Sequence, residues 1–113
     1  MSNRNEKLAI EIGTGSVFAQ LGLPNPEDRL RKARLMSVIN DVIKRRGLSQ
    51  SDVAKLAGLD QADISRIMHG RGARYSTDRL LNVLARLGVD VELIQRRGEN
   101  GDLVVEVHEL ARA

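Results

Sequence analysis

The sequence predicts a mainly α-helical domain of four to five helices, followed by a C-terminal β-hairpin. Three observations lead to this fold class. Apolar residues recur at helical spacing up to residue 88, apolar and polar residues alternate beyond it, and glycines separate the segments. We therefore divide the 113 residues into an N-terminal arm, 1–24, a helical domain, 25–88, and a hairpin, 89–113.

The first long helix is expected to begin at Asn25-Pro26 and to stop at Gly47. Asn25 can cap the free amides, and a proline suits the first helical position because the N–H that it lacks has no partner there. The residues expected to face the core are Leu35, Val38, Ile39, Val42 and Ile43. In the arm before it, residues 8–12 alternate like a short strand.

Three shorter helices are expected between residues 49 and 88. Ser49 and Asp52 have the spacing of a capping box, and Gly58 is expected to end that helix in a left-handed conformation. The next helix, capped by Asp60, runs to about Met68. The fourth helix follows the loop 69–72, with Ser76 as its cap and Gly88 at its end. Its predicted inward residues are Leu80, Leu81, Leu84 and Leu87.

Two turns are possible for the hairpin. A two-residue turn at Asn100-Gly101 would set Leu93 opposite His108 and mix the apolar positions between the two faces. A three-residue loop, from Glu99 to Gly101, sets Leu93 opposite Val107 and keeps the apolar residues on one face. We favour the three-residue loop, with Gly101 in the left-handed conformation. The apolar positions in question are Val89, Val91, Leu93, Leu103, Val105 and Val107.

Composition excludes several functional classes. There is no cysteine, which rules out disulfides, a thiolate metal site and a cysteine nucleophile. Two histidines, in different elements and without clustered carboxylates, indicate no metal site, and no serine lies in a catalytic motif. We expect no cofactor, no enzymatic activity, no signal peptide, no membrane association and a cytoplasmic location.

Charge is distributed unevenly along the chain. The formal net charge is only +3, but residues 29–86 carry thirteen basic and five acidic side chains. Residues 1–28 and 90–113 are both acidic on balance, by two and three charges. A basic middle between acidic ends favours a polyanionic partner for the helical domain.

The stretch from Gln50 to Ile67 carries the clearest functional signal. Ala54 lies where two short helices must cross closely, and Gly58 supplies the turn between them. Ile64 and Ile67 are expected to anchor the second helix to the core. The residues left outside on that helix are Gln61, Ala62, Ser65, Arg66 and His69. An exposed helix face of this kind enters the major groove in helix-turn-helix proteins.

Residues 30–87 resemble the XRE, phage-repressor-like, helix-turn-helix family. The matching features are Ser49-Gln50 opening the first helix, together with Ala54, Gly58, Gln61 and Ile64-Ser65. The resemblance implies a repressor-like fold, and it implies that Gln50 grips a phosphate near the start of its helix.

A closer resemblance covers about residues 15–95. It includes the segment from Gly15 to Pro24, the segment from Tyr75 to Leu81, and a strand that begins at Gly88. In these segments the chain is similar to HigA-like antitoxins. That resemblance implies autorepression of an operon and binding of a RelE-like ribonuclease toxin. The arm, 1–24, is where we expect toxin contacts.

Side-chain chemistry supports separate roles at the expected interface. An amide such as that of Gln61 can bond an adenine edge, and the guanidinium of Arg66 can bond a guanine edge. The expected base-reading residues are Gln61, Ala62, Ser65, Arg66 and His69. The expected phosphate-binding residues are Gln50, Lys55, Arg71, Arg74 and Tyr75.

The prediction is therefore a dimeric, sequence-specific repressor that acts on a palindromic operator in double-stranded DNA. A two-fold pair of reading helices would lie about 34 Å apart, one DNA turn. The hairpin is the expected dimer surface, either through an edge or by burial of its apolar face against a second chain. The alternatives are a stand-alone XRE regulator and a protein-interaction module that has lost DNA binding. An enzyme and an RNA-binding protein are less well supported.

Overall fold

The computed structural model describes residues 21–110, so the predictions for residues 1–20 of the arm lie outside the described residues. The described part forms four helices and one antiparallel two-stranded sheet, which confirms the predicted fold class. The elements are α1 (Pro26–Arg46), α2 (Gln50–Ala57), α3 (Gln61–Met68), α4 (Thr77–Arg86), β1 (Asp90–Arg97) and β2 (Leu103–Leu110).

Helix α1 is the central element, because α3, α4 and the hairpin all pack on it. Its predicted core face is buried, with Leu35, Ile39 and Val42 fully inaccessible. Gly47 has the expected left-handed conformation, with φ +62°, and its N–H closes the last turn. The predicted cap by Asn25 is wrong. That residue is itself left-handed, with φ +51°, and its side chain makes no capping bond. The chain entry to α1 differs from the extended backbone that a side-chain cap requires.

Helix α4 is capped as predicted, because the backbone N–H of Arg79 donates to Oγ of Ser76 at 3.0 Å. Its inward face is rotated slightly from the prediction. Val83 is 1% exposed, whereas Leu81 is half-buried at the edge of the core. The helix ends at Arg86, two residues before the predicted Gly88.

The hairpin has the favoured register. Leu93 pairs with Val107, and Gly101 is left-handed with φ +84°. The loop is closed by two backbone bonds: Gly98 N–H donates to the Asp102 carbonyl at 2.8 Å, and Gly101 N–H donates to the Gly98 carbonyl at 2.9 Å. Residues 99–101 therefore form the three-residue loop, and the two-residue alternative is excluded.

The apolar face of the hairpin is buried by the chain's own helices, which corrects one of the two predicted modes of dimerisation. Val89 and Val107 belong to the main core with α1 and α4. A second, smaller cluster joins Leu103 and Val105 to Leu30 of α1. These valines and leucines are already covered, so they cannot also be buried against a second chain. Val91 and Leu93, on β1, remain half-buried.

Three polar contacts tie the hairpin to α1 along its length. The Arg97 guanidinium binds the Glu27 carboxylate, with Nη2 and Oε1 3.1 Å apart. Arg31 Nη1 donates to Gln95 Oε1 at 3.1 Å. Arg45 Nη2 lies 2.7 Å from both Glu109 carboxylate oxygens. Each contact joins residues 64 or 70 positions apart, so all three are non-local.

Candidate nucleic-acid interface

Helices α2 and α3 are joined by a tight turn whose geometry follows from local sequence signals. The predicted capping box is present: Asp52 N–H donates to Ser49 Oγ at 3.0 Å, and Ser49 N–H donates to Asp52 Oδ2 at 3.2 Å. Gly58 has φ +68° and closes α2 through its N–H and the Ala54 carbonyl. An L-residue pays about 1–2 kcal/mol in that conformation, so glycine suits the turn.

The two helices are anchored by small and branched side chains. Ala54 is 8% exposed where α3 crosses α2, and Ile64 and Ile67 are 0% and 1% exposed. These isoleucines belong to the same core as the buried face of α1. Burial of one side of α3 leaves its other side to solvent.

The predicted reading face lies on that other side of α3. Gln61, Ala62 and His69 are exposed, and Ser65 and Arg66 are half-exposed. His69 Nδ1 lies 2.7 Å from the Ser65 carbonyl, which favours the tautomer with the proton on Nδ1. The arrangement presents an amide, a hydroxyl and a guanidinium along a helix of eight residues, and an imidazole at its C-cap.

Asp60 stands at the N-cap position of α3 with an extended backbone, but its side chain makes no capping bond, contrary to the prediction. The carboxylate of Asp63, three residues later, is engaged instead, because it accepts hydrogen bonds from Arg66 and Tyr75.

Asp63 is also the centre of a polar cluster behind the reading face, which we call the Asp63 cluster: Asp63, Arg66, Arg74 and Tyr75. The Tyr75 hydroxyl donates to Asp63 Oδ1, and Arg66 Nη1 donates to the same oxygen at 2.9 Å. Arg66 Nη1 is also 3.4 Å from the Tyr75 hydroxyl, and Arg74 Nη2 lies 3.7 Å from Asp63. Two of the predicted DNA-contacting arginines are thus held by one carboxylate.

The hydrogen bond from Tyr75 is the main cause of a lowered pKa of Asp63, and the Asp60 backbone, Arg66 and Arg74 act in the same direction. The carboxylate is therefore ionised at neutral pH and attracts both arginines. In the Asp63 cluster, Arg66 donates both of its hydrogen bonds from Nη1, and a guanidinium has five N–H donors in all. These contacts therefore position the guanidinium and leave its other N–H groups able to bind a base.

The predicted phosphate contact by Tyr75 is contradicted by its burial. The side chain is 6% exposed and belongs to the main core, and its hydroxyl points to Asp63 and Arg66. The sequence shows a tyrosine beside an arginine in a loop, and that pattern does not distinguish an exposed ring from a buried one. Tyr75 instead joins the loop to the reading helix.

Arg79 is a cation near the interface that the sequence prediction missed. The guanidinium carbons of Arg74 and Arg79 lie 5.4 Å and 5.7 Å from the centroid of the Tyr75 ring, within cation–π range. Both residues are exposed, as is Arg71 earlier in the loop. In the sequence, Arg79 is marked only by its position in the first turn of α4. Its place beside the interface can be inferred only when the position of the Tyr75 ring is known.

The end of α3 and the loop after it are fastened to α1 by two side chains. Lys32 Nζ donates to the Ala73 carbonyl at 2.8 Å, and Asn40 Nδ2 donates to the Met68 carbonyl at 3.4 Å. Gly72 permits this close approach, because a Cβ there would lie 2.5 Å from the sulfur of Met36. The loop that presents Arg71 and Arg74 is therefore held against the same helix as the hairpin.

The remaining predicted phosphate contacts lie on α2. Gln50 is its first residue and is half-buried, whereas Lys55 is exposed. Residues 21–110 contain no group of histidine and carboxylate side chains that would hold a metal ion. No helix in that range is long and apolar enough to cross a bilayer.

Comparison with known proteins agrees with this geometry. The model of a family described as a helix-turn-helix domain matches residues 17–94. A solved structure described as an XRE family transcriptional regulator is 34% identical and superposes with a TM-score of 0.59. The match covers 67% of this chain and 85% of that one. No curated protein matches the chain. The chain therefore belongs to the XRE helix-turn-helix family of DNA-binding transcriptional regulators.

Proposed function

We propose that the chain is a sequence-specific repressor that binds a palindromic operator as a homodimer. One observation carries this proposal: α3 buries Ile64 and Ile67 while it presents Gln61, Ala62 and a held Arg66 to solvent. A helix-turn-helix that serves only to support the fold or to bind another protein does not require a polar reading face with a positioned arginine. Membership of a family of transcriptional regulators supports the same conclusion.

The proposal divides the interface into base-reading and phosphate-binding residues. Arg66 is positioned by Asp63 beside the exposed start of α3, where a bidentate bond to guanine would be formed. Arg71, Arg74 and Arg79 follow α3 and are exposed, as phosphate-binding cations must be. Gln50 and Lys55 complete the phosphate set from α2.

The test is the binding of the purified chain to labelled DNA from upstream of its own gene, measured by fluorescence anisotropy over a range of salt concentrations. Binding should weaken steeply with salt, because phosphate contacts release counterions. Arg66→Ala should cost about 1–3 kcal/mol against the preferred operator and relax base preference at one position. Arg74→Ala should weaken all sequences similarly and reduce the salt slope by about one.

Lys44→Ala is the matched control, because Lys44 is an exposed cation at the end of α1 that belongs neither to the reading face nor to the contacts that dock the hairpin. It should leave operator affinity close to that of the unmodified chain. Equal binding of operator and random duplex at every salt concentration would refute sequence-specific recognition and would favour the protein-interaction module.

A finer proposal is that the chain is the antitoxin of a type II toxin–antitoxin pair and represses its own operon. Its support is the resemblance of residues 15–95 to HigA-like antitoxins, together with the acidic balance of the two ends. A RelE-like ribonuclease binds RNA and needs a basic surface, which acidic segments complement. The arm, 1–24, is the proposed contact region, and the alternative is a regulator without a toxin.

The antitoxin proposal is tested with the product of the open reading frame next to this gene. If that product is a small basic ribonuclease, the chain should co-purify with it and suppress its cleavage of mRNA. Glu6→Gln with Glu11→Gln should weaken suppression, whereas the control Glu99→Gln, in the hairpin loop, should not. A gene neighbourhood without such a ribonuclease would support the stand-alone regulator, and DNA binding would be unaffected by that outcome.

A further inference from the structure

The two strands of the hairpin are covered unequally by the helices. On β2 the inward residues Leu103, Val105 and Val107 are 6%, 0% and 4% exposed. On β1 the inward residues Val91 and Leu93 are only half-buried. Strand β1 is therefore the peripheral strand, and part of its apolar inward surface is left without cover by residues 21–110.

The free edge of β1 also presents backbone groups. Gly98 and Asp102 form a hydrogen-bonded pair beside the loop, and hydrogen-bonded positions alternate along an antiparallel ladder. The even-numbered residues of β1 therefore bond to β2. The odd-numbered residues Val91, Leu93 and Gln95 direct their N–H and C=O groups away from β2. The sheet has two strands in the described part of the chain, so this edge is open to pairing there.

The charges on the outward face of β1 are complementary to those of a second, antiparallel copy of the same strand. Glu92, Ile94 and Arg96 occupy successive outward positions, and Glu92 and Arg96 are exposed. In an antiparallel pair of identical strands centred on Ile94, Glu92 of each copy lies opposite Arg96 of the other. Ile94 then meets Ile94 of the second copy on the two-fold axis. These would be non-hydrogen-bonded pairs, in which side chains approach most closely.

Neighbouring registers lack this match. In an antiparallel ladder, two residues that lie opposite each other either both direct their backbone N–H and C=O groups toward the partner strand or both direct them away. On β1 the odd-numbered residues direct these groups toward the second copy, so even positions can lie opposite only even positions. Moving the axis to Leu93 still pairs Asp90 with Arg96 but sets Glu92 opposite Ile94, and moving it to Gln95 sets Arg96 opposite Ile94. Both shifts replace the contact between two Ile94 side chains with a charge against Ile94.

The edge of β2 is a weaker candidate for self-pairing. Its inward residues are already covered, so a second copy would bury little further apolar surface there. An axis at Glu106 would set two carboxylates against each other. An axis at Val107 would pair Glu106 with His108 of the other copy, but these two side chains already lie 2.8 Å apart within one strand, a closer contact than the 3.7 Å between Arg96 and Glu106 within the hairpin.

We propose that β1 pairs antiparallel with β1 of a second copy, about a two-fold axis at Ile94, and forms a continuous four-stranded sheet. The pairing would bond the open amides and carbonyls, form two Glu92–Arg96 ion pairs and cover Val91 and Leu93. This inference rests on the proposed function, because a palindromic operator calls for a two-fold dimer, and it specifies the surface that makes one.

The first test is charge reversal, with self-association of the full chain measured by sedimentation equilibrium in the absence of DNA. Glu92→Arg and Arg96→Glu should each raise the dimer Kd about tenfold, because each turns two attractive pairs into two repulsive ones. An equimolar mixture of the two variants should restore association, since each heterodimer again contains two opposite-charge pairs. Glu99→Arg, in the loop, is the control and should leave the Kd unchanged.

The second test uses the absence of natural cysteines in the sequence. Ile94→Cys should form a disulfide-linked dimer under mild oxidation, because the proposed axis passes between the two side chains. Glu106→Cys is the matched control, since Glu106 lies directly opposite Ile94 within the hairpin and faces the same way. It should remain monomeric on a denaturing gel.

Several results would overturn the proposal. Cross-linking of Glu106→Cys but not of Ile94→Cys would assign the dimer to β2. Failure of the variant mixture to associate better than either variant alone would reject the Glu92–Arg96 pairs. Loss of DNA binding with association and cross-linking intact would reject the proposed function and leave this interface standing, because both measurements are made without DNA.

Discussion

The helix-turn-helix unit and the hairpin both pack on α1, but the polar contacts that shape them differ in range. Within the unit, the capping box and the Asp63 cluster join residues three to twelve positions apart, although Lys32 and Asn40 bind the unit to α1 across 41 and 28 positions. The hairpin is held by polar contacts across 64 to 70 positions, by Val89 and Val107 in the main core, and by a small cluster around Leu30. The comparison teaches that the shape of the reading surface is specified largely by local contacts, whereas the position of the hairpin depends on contacts across the assembled fold.

The largest expected difference between the two regions is in core truncation. Ile64→Ala should lower the free energy of unfolding by about 2–5 kcal/mol, because Ile64 lies fully buried in the main core. Val105→Ala, at an equally buried site, should cost roughly 2 kcal/mol, because fewer methyl groups are lost from the smaller cluster. Urea unfolding followed by circular dichroism measures both. A larger loss for Val105→Ala would show that the hairpin cluster is the more important of the two.

Turn glycines test whether both regions depend equally on backbone conformation. Gly58→Ala and Gly101→Ala should each cost about 1–2 kcal/mol, because φ is +68° and +84° at these positions. Neither added Cβ would meet another atom within 4 Å, so the cost should come from the backbone alone. Asparagine tolerates this conformation better, so Gly58→Asn should recover part of the loss in the same unfolding experiment. Equal costs for alanine and asparagine would point to a different cause.

Tyr75→Phe tests whether the Asp63 cluster positions the reading arginine. The ring would keep its place in the core, but Asp63 and Arg66 would lose the hydroxyl between them. Discrimination at the base read by Arg66 should fall about fivefold, a cost of about 1 kcal/mol for one hydrogen bond. Competition binding with single-base operator variants measures this effect, and the salt slope should stay unchanged. A uniform loss across all sequences would mean that Tyr75 supports phosphate binding instead.

The smallest expected effects concern acid stability. The pKa of Glu27 is lowered mainly by its hydrogen bond with Arg97, and that of Asp52 mainly by its hydrogen bonds with Ser49. Both carboxylates therefore stabilise the fold above their ordinary pKa values of 4.5 and 3.8, and they lose this contribution as pH falls through the folded-state pKa. Glu27→Gln and Asp52→Asn should each flatten the decline of unfolding free energy between about pH 5 and pH 2. An unchanged slope would show that the ion pair or cap is broken in solution.

Elements and turns of the helix-turn-helix and hairpin could be predicted because their determinants are close in sequence. The capping box needs only Ser49 and Asp52, and the hairpin register follows from alternation and a glycine at the third loop position. The failures at Asn25 and Asp60 show that a residue type permits a cap without determining it. Asn25 has a left-handed backbone, which excludes the cap, whereas Asp60 has the extended backbone that a cap needs and still makes no capping bond.

The sequence alone does not show which part of the molecule covers a buried surface. Alternation at Leu103, Val105 and Val107 shows that one face is covered, but not whether a helix of the same chain or a second chain covers it. The same limit applies to Tyr75, whose burial depends on α1 and α3, and to Asp63, whose role depends on that burial. Exposure of Gln61 and Ala62 was simpler to predict, because the buried isoleucines of α3 define the opposite side.

The long separation between α1 and its hairpin contacts has a consequence for synthesis on the ribosome. Glu27 emerges seventy residues before Arg97, and Arg45 emerges sixty-four before Glu109. The residues of the capping box and the reading helix therefore leave the ribosome before the residues that dock the hairpin. We expect the local contacts of the reading surface to form on the nascent chain before the hairpin can pack on α1.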